Sequence, residues 1–166
     1  MKLTRAVLSG LIGAVMVWII VFVAGMIART DSDLCVLSGA SITGTATTWS
    51  WIAGAISQLI LGAIASVVYA AIFEWVTRRA GATVGFVIGL AHAVVAGIGI
   101  GFLPAQQLIT ASVQPPAAFL EYRGWIPVIG FIVAHVAFGT LVGAMYGRVR
   151  HAVADVRLVW RDVSSG

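Results

Sequence analysis

The chain has 166 residues, 60% of them hydrophobic and only 10% charged, with a formal net charge of +4. Soluble domains carry roughly 45–50% apolar and about 25% charged residues, so this composition excludes an ordinary water-soluble globule. Its ten Lys and Arg are spread along the chain and do not gather into the basic patch that a nucleic-acid surface needs.

Four apolar runs, 6–28, 51–76, 82–103 and 125–147, each reach the roughly 20 residues that cross a ~30 Å hydrocarbon core. Lys2 and Arg5 precede the first run as in a signal peptide. Its apolar stretch, however, far exceeds the usual ~7–15 residues, and Met26-Ile27-Ala28 leads into Arg29 with no A-x-A site. A retained helix is expected, with Trp18 as a packing residue. The segment 29–50 is rich in Ser, Thr and Gly and shows little apolar periodicity, so a loop is expected. The lone Cys35 within it has no internal partner and reads as a passive thiol.

The second run carries a four-spaced row that is part small and part polar: Gly54, Gln58, Gly62, Ser66, Ala70, Glu74. Gln58 suits an interhelical hydrogen bond. Glu74 and Arg78 have the spacing of a helical ion pair. The turn from Thr77 to Gly81 is so short that an antiparallel hairpin of the second and third helices is expected.

The third run carries an unbroken small-residue row: Gly81, Gly85, Gly89, Ala93, Gly97, Gly101. In lipid, helices associate through close packing, and small residues mark the interfaces. Rows of this spacing suit right-handed crossings of about −40°. The row drifts round the helix, so it is expected to serve two neighbours in succession. Pro104, Pro115 and Pro116 punctuate the next loop, 104–124, in which Ala117–Tyr122 is expected as a short interfacial helix. The fourth run adds Gly139, Gly143 and Gly147.

Beyond the fourth run, Val149, Val153, Val156, Trp160 and Val163 alternate spacings of four and three, while Arg150, Arg157 and Asp162 fall elsewhere. This pattern predicts an amphipathic helix over 148–163, lying on the inner leaflet. A contact with another copy or a partner subunit is the alternative. The fold class expected is an all-α membrane protein: one domain, a four-transmembrane-helix bundle with a C-terminal amphipathic interfacial helix.

Orientation follows from basic residues. Lys2, Arg5, Arg78, Arg79, Arg148, Arg150, Arg157 and Arg161 fall on one side, and only Arg29 and Arg123 on the other. The positive-inside bias places both termini in the cytoplasm, where the basic face meets anionic lipid. Trp49, Trp51 and Trp125 at one interface and Trp75 at the other fit aromatic belts.

Few polar side chains lie within the spans. His92 and His135 fall at the middles of the third and fourth runs, so antiparallel helices bring both imidazoles to one depth. Ionisable residues there are candidates for function. Three readings stand: interhelical hydrogen bonds, axial ligation of haem b, or a proton or substrate path with Gln58 and Glu74. No C-x-x-C-H motif for covalent haem attachment is present, and two His without a nearby Cys or carboxylate do not make a zinc site.

The stretch Ala134-His135-Val136-Ala137-Phe138-Gly139-Thr140-Leu141-Val142-Gly143-Ala144-Met145-Tyr146-Gly147 resembles the final helix of small four-helix prokaryotic membrane proteins. Their recurring pattern is H-[LV]-x-[FY]-G-x-[LV]-[LV]-G-x-x-Y-G. Gly85 to Gly101, centred on His92, resembles their third helix. The resemblance implies a four-helix fold and carries no function. With slight extramembrane mass and many packing rows, the expected role is a non-enzymatic scaffold or accessory subunit of a larger inner-membrane complex. It would need no cofactor, and its partners would be other membrane subunits or further copies of itself. A haem b electron-transfer protein and a small channel or transporter are the alternatives.

Overall fold

A computed structural model describes residues 1–147 and Val149; the amphipathic tail expected over 148–163 otherwise lies outside the described residues. The four apolar runs form four long helices: α1 (Leu3–Ala28), α3 (Thr48–Ala71), α4 (Ala82–Ile100) and α6 (Trp125–Tyr146). Together they make a four-helix membrane bundle. All four are long and apolar enough to cross a bilayer. Aliphatic side chains such as Leu8, Ile12, Ile60, Val87, Val94 and Val95 point outwards, as a hydrocarbon surround demands.

Local chemistry sets the ends. Arg29 closes α1 in the left-handed conformation, φ 56°. A reciprocal pair of bonds between Thr47 and Ser50 caps α3, satisfying two otherwise orphaned donors. The last turn of α3 widens into a π turn, Ile72–Val76. Helix α4 stops at Ile100, short of the expected 103, because Gly99, Gly101 and Pro104 follow one another there. Proline disfavours helical backbone in the residue before it.

The spans are ordered α3, α1, α6, α4 around the bundle. The expected hairpin of α3 and α4 is therefore corrected. Their connection is short, yet the two helices share almost no packing, because the small residues of each are taken up by other neighbours. Gly85 and Gly89 of α4 meet Gly139 and Gly143 of α6 backbone to backbone, and a Cβ on Gly85 would overlap the Gly139 carbonyl. Further along α4, Gly97 seats the Phe119 ring and Gly101 meets Ala118. The row thus serves α6 first and the 118–123 turn second, while Ala93 between them is buried. On α3, Gly62 and Ser66 meet Gly10 of α1.

Two segments expected as loop or surface are built into the bundle. Within 29–50 lies a ten-residue helix, α2 (Leu34–Thr43). Its Gly39 presses on the Ser50 carbonyl, and Gly54 of α3 presses on the Cys35 carbonyl. Asp33 caps it, accepting from the backbone N–H of Cys35 at 2.8 Å. The same carboxylate accepts from the indoles of Trp18 and Trp51, both at 3.0 Å. After Ile100 comes a short helix, α5 (Ala105–Thr110), which packs on α2. The expected interfacial helix over 117–122 is instead a tucked 3-10 turn, Ala118–Arg123, with Leu120 wholly buried. Arg123 fastens this end by donating to the backbone carbonyls of Asp31 and Gln114. Burial lowers the pKa of this guanidinium, and nearby Asp31 opposes the shift.

Candidate functional site

Because α3 and α4 diverge from their shared turn, a crevice opens between them. It holds about 450 Å³, within the ~300–1,000 Å³ typical of small-molecule sites. Gln58, Leu61, Gly62, Ile64 and Ala65 of α3 form one wall, and His92, Ala96, Gly99 and Ile100 of α4 the other. Ala14 and Val17 of α1 with Phe131, His135 and Phe138 of α6 form the back, and Leu34 and Ser38 of α2 close the end away from the termini. Leu61 and Ile64 remain more than half exposed, and a Cβ on Gly99 would touch nothing. The mouth therefore faces sideways, towards lipid.

Both histidines stand at this crevice in direct contact. Their ring centroids are 5.0 Å apart and the planes meet edge to face at 87°. His135 is 8% exposed, and its Nδ1 lies 2.8 Å from the Phe131 carbonyl oxygen. A carbonyl only accepts, so this nitrogen carries the proton, and in the neutral ring Nε2 is left as an acceptor. His92 Nδ1 lies 3.2 Å from the Tyr69 hydroxyl. Tyr69 is buried, with no other hydrogen-bond partner among the described residues, and an unused O–H there would be costly. Tyr69 therefore donates, which leaves Nε2–H of His92 as a donor. Among the described residues neither Nε2 has a hydrogen-bond partner. Nor is either sealed off, because among the described residues Arg123 Nε is the one fully buried side-chain polar atom lacking a partner.

The two other intramembrane polar residues are placed differently. Gln58 donates to Ser38 Oγ at 2.6 Å, an interhelical bond as its row suggested. Glu74 lies away from the crevice, at the terminal end. It does not pair with Arg78, since the π turn breaks the four-residue geometry and Arg78 is left-handed at φ 50°. Its carboxylate accepts from Tyr146 at 2.6 Å and stands 4.0 Å from the N-terminal ammonium. The structure thus separates Glu74 from the other three polar residues. Tyr69 and Ser38 were missed from sequence. A tyrosine inside a span was the available signal for the first, since a buried phenol normally finds a partner.

A haem held between the histidines does not fit. Two imidazoles on opposite faces of one iron are separated by two metal–nitrogen bonds and the porphyrin plane, whereas these rings touch. The helices that carry them also meet backbone to backbone through Gly89 and Gly139. Nor do any three His, Cys, Asp or Glu among the described residues gather as a metal site would need. Cys35 is buried in α2, and burial, with Asp33 adding to it, pushes its thiol pKa up to about 12.

No family model, curated protein or solved structure matches the chain.

Proposed function

We propose that the chain is a non-enzymatic protein of the prokaryotic cytoplasmic membrane that takes a molecule from the bilayer into the crevice and holds it. The observation that carries this reading is the sideways-facing crevice, lined mostly by apolar side chains with His92 and His135 side by side among them. A dissolved lipid enters such a site without crossing water. The expected role as scaffold or accessory subunit drew on the slight extramembrane mass and the scarcity of interior polar residues as well as on the small-residue rows. Those rows are used within the chain, so they no longer call for a partner.

The orientation proposed has both termini cytoplasmic. Lys2, Arg5, Arg78 and Arg79 share the terminal end, where Arg78 and Arg79 are exposed and suited to anionic headgroups. Arg123, one of the two opposing basic residues, is spent on loop carbonyls. Alkaline phosphatase fused after residue 110 should be active in the periplasm and inactive after residue 80.

The test of the ligand reading is lipid analysis of the protein purified in mild detergent. One lipid class should be enriched over the membrane extract, and Ala96→Trp, which fills the crevice, should abolish the enrichment. Equal lipid profiles for both proteins would overturn the proposal.

A further inference from the structure

We infer that the molecule held in the crevice is a neutral lipid bearing a hydroxyl group, and that this hydroxyl bridges His92 and His135. The inference rests on the ligand-binding reading above and names its substrate class. The two free ring nitrogens are unlike: Nε2–H of His92 donates and Nε2 of His135 accepts, as their Nδ1 partners dictate. An alcohol or phenol accepts from one and donates to the other through a single oxygen, whereas a neutral acid or an amide needs two atoms to do so. A ketone or ester only accepts and leaves His135 unmet. An ammonium only donates and leaves His92 unmet. An ionised carboxylate or phosphate meets a lone pair at His135, and among the described residues no Lys or Arg lines the crevice to offset its charge. A plain hydrocarbon leaves both nitrogens unpaired, which costs free energy in an apolar setting. The two rings stand in edge-to-face contact, centres 5.0 Å apart, and the hydroxyl is inferred to sit beside both. Leu61, Ile64 and Ile100 then receive the apolar body.

The experiment is competition for tritiated farnesol on the full chain in nanodiscs, measured by scintillation proximity. Unlabelled farnesol, its methyl ether and the hydrocarbon farnesene are the competitors. Farnesol should compete about tenfold better than the ether, since the ether cannot donate to His135 and leaves that nitrogen unpaired. In His135→Leu the preference should vanish while ether binding persists. His135→Gln places an amide oxygen near the lost Nε2 and should restore it. Equal competition by all three compounds overturns the hydroxyl inference and leaves the crevice as a lipid site. Absence of saturable farnesol binding overturns both. The three-ligand comparison on the unaltered chain decides the matter even if the variants fail to fold. A second readout is the ¹⁵N shift of the two Nε2 atoms, which farnesol should move and the ether should leave at His135.

Discussion

The Tyr146 hydroxyl donates to Glu74 at 2.6 Å and accepts from the Lys2 backbone N–H at 3.0 Å. One phenol therefore ties together the start of α1, the π turn after α3 and the last residue of α6. Tyr146 is wholly buried, so no water replaces it. Tyr146→Phe should lower stability by about 1–2 kcal/mol, read as an earlier transition in mixed-micelle unfolding. Arg78→Ala should leave that transition in place, because Arg78 makes no ion pair with Glu74.

The α4–α6 interface should be the part least tolerant of added volume. Gly85→Leu forces a side chain into the Gly139 backbone and should cost about 1–3 kcal/mol or more. Gly99→Ala on the same helix meets open space and should be neutral. Thermal unfolding of the two variants side by side checks the contrast.

The spans were legible because length and apolarity alone declare them. The small-residue row on α4 was legible too, since six positions at one spacing leave few uses besides close packing. Helix α2 was hidden for the opposite reason. Its sequence, Leu34-Cys35-Val36-Leu37-Ser38-Gly39-Ala40-Ser41-Ile42-Thr43, packs largely through small residues and shows no stripe of large apolar ones. The parting of α3 from α4 was hidden as well, because a five-residue turn brings helix ends together but does not make the helices touch. Equal depth for His92 and His135 could be read from span midpoints. Which nitrogen of each ring is free depends on Tyr69 and the Phe131 carbonyl, and only the folded chain supplies those.

Asp33 is the fastening of α2. Asp33→Ala removes its cap, worth about 1 kcal/mol, and leaves the Trp18 and Trp51 indole N–H groups unpaired. Stability should fall, and tryptophan emission should change as both indoles lose the carboxylate. Asp31→Ala should change emission far less, since neither indole bonds to that residue.

Cys35 gives a pH signature. Its thiol in the fold ionises near 12 against an ordinary 9.0, so the unfolded chain loses this proton first as pH rises. The stability that comes from keeping the thiol neutral is intact below 9 and disappears between 9 and 12. Cys35→Ser should flatten that part of the stability profile. Maleimide labelling at pH 8 should be slow in the folded protein and complete after SDS unfolding, as thiolate nucleophilicity demands. Rapid labelling of the folded chain would contradict the burial.

Below the histidines, Tyr69, Phe73, Phe138 and Tyr146 are each at most 3% exposed and stack in edge and tilted contacts. This aromatic plug fills the bundle between the crevice and the terminal end. The crevice is therefore a blind alley, with its door in the side wall and no exit through the floor. On the proposed reading, a lipid that enters the crevice leaves by the same side, so the arrangement suits custody of a lipid better than its passage across the membrane.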